Sequence, residues 1–235
     1  MKPTLHVCES EVEDVDKLIY GKYDPICVKH GFRKSDKDDY YNIEDNKLIK
    51  YKICYKDDSI ICLANKHLVW FDLETGNKID PPKVIEGDFD CSELINLTSL
   101  DGAPKYVGGD FACFCCDNLI SLEGSPREVR GNFRCFICKN LTSLEGAPRK
   151  VGGNFDCNRC KNLTSLKGSP QYVRKNFCCF GCRNLTSLEG APEKVGRDFD
   201  CNECPNLTSL EGAPRYIGRN FSVPLKLMDI SWMRF

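Results

Sequence analysis

Apolar side chains recur at a fixed interval of 22 residues along most of the chain, without one insertion or deletion. A phenylalanine marks each repeat. An aliphatic residue precedes it by four positions, and leucines follow it by eight and eleven. In Phe155-Asp156-Cys157 apolar and polar residues alternate with the period of a β-strand, so Phe155 and Cys157 should face inward, and Asp156 and Asn158 outward. Such a period predicts a stack of similar coils. The repeat phenylalanines are Phe89, Phe111, Phe133, Phe155, Phe177, Phe199 and Phe221.

The rest of each coil is too short and too rich in Gly and Pro for a useful helix, as residues 166–173 illustrate. We therefore expect one short strand per coil, with turns and extended chain on its back. Stacked strands would form a parallel sheet on one face. The predicted fold is mostly β, a solenoid of seven 22-residue coils with little helix, over residues 81–235. Residues 223–235 abandon the motif and should close the last coil as a C-terminal cap.

Residues 1–80 lack the period and are predicted to form a small α+β domain. A helix is expected at residues 10–20, with Ser10 as its cap, followed by strands at 47–55, 59–63 and 67–73. Because a solenoid needs a cap over the core of its first coil, this domain is interpreted as an enlarged cap. The alternative is a separate recruiting or anchoring domain.

The motif Phe-x-Cys-x-x-Cys-x-Asn-Leu-Thr-Ser-Leu, which runs from Phe155 to Leu166, resembles the leucine-rich-repeat signature. In that family the position of Cys160 is normally Asn or Cys. The Leu-Thr-Ser-Leu run followed by a proline is similar to the short repeats of bacterial effectors. The Leu-Glu-Gly-Ala-Pro form is similar to repeats in uncharacterised phage and large DNA virus proteins. The resemblance covers residues 82–235 and implies a curved or twisted binding scaffold, although Phe and Cys stand where Leu usually sits.

The charge of the 235-residue chain is balanced, with 33 Lys and Arg against 34 Asp and Glu. No global positive field exists to hold a nucleic-acid backbone or an anionic membrane, so neither is an expected partner. The start of the chain shows no apolar stretch long enough for a signal peptide or a membrane span. A cytoplasmic, reducing location is therefore expected. The Lys, Asp, Asn and Ile richness of residues 12–65 fits an AT-rich genome and favours a viral or parasitic source, which would place the protein in a host cytoplasm or a virion.

Seventeen cysteines, an odd number without an export signal, favour reduced thiols over disulfides. Cys-x-x-Cys spacing could supply thiolates to zinc, but plain hydrophobes fill the equivalent positions at Leu94 and Val223. A core tolerates that exchange and a metal site does not, so we predict a core of stacked thiols with no metal and no other cofactor. Zinc, an iron–sulfur cluster or disulfides across coils are the alternatives. The pairs are Cys135/Cys138, Cys157/Cys160, Cys179/Cys182 and Cys201/Cys204.

Two weaker metal patterns also occur. Cys27-Val-Lys-His30 could contribute two ligands, although this spacing commonly arises by chance. The residue before each repeat Phe is always Asp or Asn, which could form a ladder of calcium ligands. We favour hydrogen bonds from these side chains to nearby backbone. The ladder is Asp88, Asp110, Asn132, Asn154, Asn176, Asp198 and Asn220.

Catalysis is not expected, because the sequence shows no nucleophile with an identifiable general base near it. The three histidines, His6, His30 and His67, all lie outside the solenoid, and there is no phosphate-binding loop. The chain is therefore predicted not to be an enzyme.

The residue three positions after each repeat Phe should face solvent, yet it is aromatic in three coils: Phe114, Phe136 and Phe180. Exposed aromatics rimmed by charge are typical of a protein-binding hot spot. The predicted partner-binding residues are Phe114, Phe136, Phe180, Ile137, Arg134, Arg159 and Asp156. The partner would be another protein, a second copy of the chain or a capsid-like assembly, in which the chain would act as a structural component. Alternatively, the N-terminal domain or a second copy of the chain covers this face. If the face is not the binding site, the next aromatic candidates for partner binding lie in the N-terminal domain: Tyr40, Tyr41, Trp70 and Phe71.

Overall fold

The computed structural model describes residues 33–34, 40–44, 47–56 and 59–228. The predicted helix at 10–20, the Cys27 and His30 pair and the chain end from residue 229 lie outside these ranges. The described residues fall into two compact units. The first contains the described residues up to Asn65 together with Val69–Ile79, and the second contains Lys66–Leu68 together with the residues from Asp80 onward. Within the described ranges, no helix has the length and apolar character needed to cross a membrane.

The first unit contains a six-stranded sheet whose strands pair in chain order. Strands are observed at all three predicted places, with ends that differ by at most one residue. Ile61, Leu63 and Phe71 form a small core. Trp70 and Phe71 are each 1% exposed, so neither offers a ring to a partner, and their proposal as the next aromatic candidates is wrong. Adjacent side chains of a strand point to opposite faces, so both faces of this strand are covered: Phe71 packs in the small core, and Trp70 packs on Tyr55 with ring centroids 5.7 Å apart. The strands are Arg33–Lys34, Tyr40–Glu44, Lys47–Lys56, Ile60–Ala64, Leu68–Asp72 and Lys78–Ile79.

The second unit is a β-solenoid with two parallel seven-stranded sheets. We call them the phenylalanine sheet and the valine sheet, after the residue that each strand buries. The strands of the phenylalanine sheet are Phe89–Asp90, Phe111–Ala112, Phe133–Arg134, Phe155–Asp156, Phe177–Cys178, Phe199–Asp200 and Phe221–Ser222. Those of the valine sheet are Val84–Ile85, Tyr106–Val107, Glu128–Val129, Lys150–Val151, Tyr172–Val173, Lys194–Val195 and Tyr216–Ile217.

The prediction of one strand per coil is therefore wrong, since each coil contributes two. Both strands are two residues long, but Cys157 continues the alternation after Phe155–Asp156, whereas Gly152 and Gly153 follow Val151 and leave no alternating pattern. It is defined by backbone pairing with the neighbouring coils, as where the N–H of Gly152 donates to the carbonyl of Val129 at 2.9 Å. Seven strands per sheet are separated by six intervals, so the described solenoid makes about six turns.

The interior of the solenoid is built from columns of identical side chains. Phe133 pairs in register with Phe155, and their rings stack at 5.2 Å between centroids and 3° between planes. Cys157 and Leu163 have no exposed surface. The inward assignment of Phe155 and Cys157 is thus confirmed. Because each coil buries its apolar side chains against its neighbours, stability accumulates along the stack.

The last described coil is less well covered than the others. Phe199 and Phe221 meet edge to face at 82°, and Phe221 is only partly buried. Beyond it the chain forms a short 3₁₀ helix at Leu225–Leu227. Val223 is buried as expected of a cap, but Leu225 is 85% exposed and Met228 48% exposed. These two side chains therefore do not cover the last coil.

Candidate functional site

Five of the seven predicted partner-binding residues lie in two neighbouring rows on the phenylalanine sheet, and the other two, Ile137 and Arg159, directly follow the second row. The outer strand row directly follows each repeat Phe, and consists of Asp90, Ala112, Arg134, Asp156, Cys178, Asp200 and Ser222. The turn row comes two residues later, and consists of Ser92, Phe114, Phe136, Asn158, Phe180, Asn202 and Pro224.

The turn row lies in a turn and not on the strand where the alternation placed it. The strand ends at Arg134, and Phe136 and Ile137 form a turn in which Ile137 has a φ of 58°. The turn is hidden in the sequence because Ile rarely adopts this left-handed conformation. The backbone ladder nevertheless continues across it, since the N–H of Ile137 donates to the carbonyl of Asn158 at 2.8 Å. The row therefore stays in register from coil to coil.

An aspartate in the outer strand row caps the turn that follows it. The carboxylate of Asp156 accepts the N–H of Asn158 at 3.0 Å, and Asp200 and Asp90 accept the equivalent N–H groups at 2.9 Å. The outer strand row holds Ala, Arg or Cys in three coils, and those three coils carry Phe in the turn row. Three coils thus have a polar turn capped by an aspartate of the outer strand row, three have Phe in the turn and no such aspartate, and the last coil has Ser222 and Pro224.

Two of the three turn-row phenylalanines form one contact surface. Phe114 and Phe136 stack with their ring centroids 4.5 Å apart and their planes 5° apart, and both are half-buried. Phe180 lies two coils further along, separated by Asn158, whose side-chain oxygen accepts the N–H of Phe180 at 2.7 Å. The guanidinium of Arg159 lies 5.9 Å from the Phe180 ring, within reach of a cation–π interaction.

Charged groups around these rings are partly neutralised. Arg134 forms an ion pair with Asp110 at 2.9 Å. Partial burial opposes ionisation of Asp110, but hydrogen bonds from Asn132 and the charge of Arg134 hold the pKa of Asp110 below its ordinary value. Burial raises the pKa of Asp156 and outweighs two opposing effects, the hydrogen bond from the N–H of Asn158 and the positive charge of Arg134, which both lower the pKa. Asp156 is therefore a partly desolvated carboxylate beside the phenylalanines.

The structure adds a groove that sequence reasoning missed. It has a volume of about 670 Å³ and is lined by Phe180, Asn202, Pro224, Leu225 and Met228, among others. Leu225 and Met228 had been assigned to the cap because they are apolar and lie near the chain end. Their exposure places a second apolar surface beside Phe180.

The cysteines form two buried columns inside the solenoid. The second Cys of each Cys-x-x-Cys pair donates its thiol to a backbone carbonyl of the preceding coil, as Cys160 does to Cys135 at 3.2 Å. Burial raises the pKa of Cys135 and Cys157 well above the ordinary value, so these side chains are held as neutral thiols. Within the described ranges, no group of three or more His, Cys, Asp or Glu side chains is arranged to hold a metal ion.

The Asp and Asn ladder before the repeat phenylalanines makes structural hydrogen bonds. Each side chain accepts the backbone N–H of its counterpart in the next coil, as Asn132 does from Asn154 at 2.8 Å and Asn154 from Asn176 at 3.1 Å. The preferred interpretation, bonding to nearby backbone, is confirmed, with the partner in the next coil. Of the histidines, His67 is exposed and the other two lie outside the described residues.

Comparisons of the chain with models of known protein families, with curated proteins and with solved structures find no match. The class defined by the geometry is a cysteine-rich β-solenoid of 22-residue repeats.

Proposed function

We propose that the chain is a non-catalytic protein-binding module, and that the turn row of the phenylalanine sheet grips its partner. The observation that carries the proposal is the stacked pair Phe114 and Phe136, which keeps part of its surface exposed at a position that other coils fill with Asn158 or Asn202. Because Asn at the same position is compatible with the fold, folding does not require an aromatic ring there. Aromatic side chains that keep contact area on the surface are the usual anchors of protein interfaces.

Three neighbouring features extend this contact surface. The Phe180 groove adds exposed apolar area through Leu225 and Met228. Arg159 and Arg134 give the rim charged groups that can pair with a partner. Ile137 lies in the turn directly after Phe136 and is half-buried. An apolar centre with a charged rim is the anatomy of a specific interface.

We include kinship with leucine-rich-repeat proteins in the proposal. The leucines of the signature, Leu163 and Leu166, have no exposed surface, as that resemblance requires. The second sheet departs from the one-sheet expectation. The runner-up function is a structural component of a viral particle or another large assembly, where the same apolar row would pack on a neighbouring subunit.

The sharpest test replaces the turn at Phe136 with the polar turn that the chain has at residues 156–158. The double variant Arg134→Asp/Phe136→Asn gives this coil the Asp-Cys-Asn sequence of residues 156–158. It should fold, because the new Asp can cap the new turn as Asp156 caps its own. It loses the Arg134–Asp110 ion pair and the stack of Phe136 on Phe114, each of which contributes about 1 kcal/mol. Affinity purification with mass spectrometry would compare its partners with those of the wild type.

Loss of one aromatic anchor should weaken partner binding about 30-fold, from about 2 kcal/mol. Glu193→Lys, an exposed change on the valine sheet side, is the control and should keep the partner. A soluble stoichiometric partner lost only with the double variant supports the proposal, whereas recovery only within large particles supports the structural alternative. A folded double variant that keeps every partner would show that the turn row is not the binding site.

A further inference from the structure

The outer side of the valine sheet is strongly basic, although the chain as a whole is close to neutral. We define the basic face as the valine-sheet strands together with the one residue before and the two residues after each strand. It contains twelve of the 33 Lys and Arg residues and three of the 34 acidic ones, and all twelve are exposed. Five of the twelve precede a strand: Lys83, Lys105, Arg127, Arg149 and Arg215.

Two more basic residues, Lys150 and Lys194, lie on the strands, and the other five follow them. The acidic residues of the face are Glu86, Glu128 and Glu193. The ion pairs found in the described part of the chain, Arg134–Asp110 and Lys139–Asp117, involve none of the twelve. The positive charge of this face is therefore not neutralised by ion pairs within the described residues.

Four of the charges form a straight row. The N–H of Arg127 donates to the carbonyl of Lys105 at 2.8 Å, and the N–H of Arg149 to that of Arg127 at 3.0 Å, so these residues stack in consecutive coils. Lys83 continues the row in the first coil. Neighbouring strands of a sheet lie about 4.8 Å apart, so the row places four cations along about 15 Å. A linear array of cations matches a linear polyanion better than it matches one small anion.

Tyrosine side chains lie among the cations of the basic face. Tyr106 is 44% exposed and lines three adjoining grooves of about 550, 420 and 370 Å³. Lys105 and Arg127 line one of these grooves with it, and Arg149 and Lys150 line another. Among the described residues, no cation lies over the Tyr106 ring.

Further along the face the pattern of cation and ring repeats. The Lys194 amine lies between two tyrosine rings, 5.0 Å from the centroid of Tyr216 and 5.9 Å from that of Tyr172. Tyr216 is 53% exposed. Rings next to a row of cations are the arrangement that holds single strands, because every base has a face that can stack on an aromatic ring.

We propose that the basic face binds single-stranded nucleic acid. Lys83, Lys105, Arg127 and Arg149 contact consecutive phosphates, and Tyr106 stacks on a base in the grooves around it. Glu128 lines two of the same grooves and repels phosphates, which directs the backbone onto the cationic row. A membrane surface fits less well, because Val84 is the only exposed aliphatic side chain on the described valine-sheet strands. An acidic protein segment would use the cations and leave the tyrosines without a role.

The test is a fluorescence anisotropy titration of the purified full chain with a labelled single-stranded RNA of about 12 nucleotides. Saturable binding that weakens with salt is expected. Arg127→Glu/Arg149→Glu should weaken it at least about tenfold and reduce the slope of log affinity against log salt by about 1.4. Tyr106→Ala should weaken binding about fivefold or more, and Tyr106→Phe should restore it, because the ring and not the hydroxyl stacks.

The matched control is Lys161→Glu/Lys167→Glu, which makes the same charge change at two exposed residues outside the basic face. Its affinity for the RNA should stay within about threefold of wild type if the contacts are local. Arg134→Asp/Phe136→Asn should bind the RNA as the wild type does, which separates this proposal from the protein-binding one. Circular dichroism would confirm that each variant is folded.

Four results would overturn the proposal. They are the absence of RNA binding at low salt, an equal loss in the control double variant, full binding by Tyr106→Ala, and equal or tighter binding of a competitor. The competitors are a duplex of the same sequence, polyglutamate and vesicles containing phosphatidylserine. Polyglutamate or vesicles binding best would reassign the face to an acidic protein or to a membrane.

Discussion

The two sheets of the solenoid bury the same kind of surface and expose opposite kinds. Inside, Phe155 and Val151 belong to columns that hardly vary, because each must match its counterparts above and below. Outside, the phenylalanine sheet carries half-buried aromatic rings beside partly neutralised charges, while the valine sheet carries exposed cations and tyrosines. Because the interior is uniform, the information that can distinguish one partner from another lies in how the outer rows change from coil to coil.

The residues of the two outer surfaces also differ in how many interactions they make with the rest of the fold. The outer strand row and the turn row are tied together by Asx turns and by a ladder that continues past the strand. The cations of the basic face, in contrast, are exposed and make none of the ion pairs in the described residues. Substitutions on the phenylalanine side should therefore perturb stability and binding together more often than those on the basic face.

The largest difference between the sheets should appear in the core. Phe155→Ala removes a ring stacked on both sides and should destabilise the fold by about 3 to 5 kcal/mol. Val151→Ala removes two carbons from the opposite sheet and should cost only about 2 kcal/mol. Thermal or denaturant unfolding measures both. A melting temperature for Phe155→Ala within a degree of wild type would contradict the inward assignment.

Hydrogen exchange would show how far that damage spreads. Because coils couple mainly to their neighbours, faster exchange in Phe155→Ala should concentrate in residues 129–195. Equal acceleration throughout the solenoid would mean that the coils unfold as one unit instead.

Thiol chemistry should distinguish the outside of the phenylalanine sheet from its inside. Cys115 and Cys178 are half-buried, whereas Cys135 and Cys157 have no exposed surface. Burial raises the pKa of Cys178 to about 12, with nearby carboxylates adding to the effect. Burial also raises the pKa of Cys115, but less than it raises the pKa of Cys178. Since the thiolate is the reactive form, iodoacetamide should modify Cys115 first among the cysteines that the structure describes, Cys178 more slowly, and the core thiols only after unfolding.

Peptide mass spectrometry over time checks this order. Rapid modification of Cys135 or Cys157 in the folded protein would contradict the thiol core. So would stoichiometric zinc in elemental analysis that is lost together with folding on chelation.

Sequence reasoning succeeded where one residue type repeats for one physical reason. The columns of Phe155, Cys157 and Leu163 followed from period and polarity alone. The sequence does not predict the second strand, because Gly152 and Gly153 follow Lys150–Val151 and no alternation continues beyond it. The sequence predicts strand at Phe136, because nothing in Phe-Ile indicates a left-handed residue.

Surface chemistry was harder to predict, because average properties hide local ones. The balanced charge of the chain argued against a polyanion, although Lys105, Arg127 and Arg149 recur at one position of successive coils. The groove beside Phe180 gave no such signal, since it depends on where Leu225 and Met228 lie after the last coil.

The smallest expected effect compares one carboxylate from each outer surface. Burial raises the pKa of Asp156 above its unfolded value, so the folded protein binds that proton more tightly than the unfolded chain does. The stability contributed by this group is therefore greatest at low pH and is lost as the pH rises through the folded pKa. Asp156→Asn removes the charge and keeps an oxygen for the N–H of Asn158, so it should raise the melting temperature at neutral pH, by at most about 2 to 4 °C. Glu128→Gln, at an exposed position on the basic face, should leave it unchanged. Near pH 3 the advantage of Asp156→Asn should shrink, because the wild-type carboxyl is then largely protonated in both states. A lower melting temperature for Asp156→Asn at neutral pH would mean that the ionised form of Asp156 stabilises the turn by more than its burial costs.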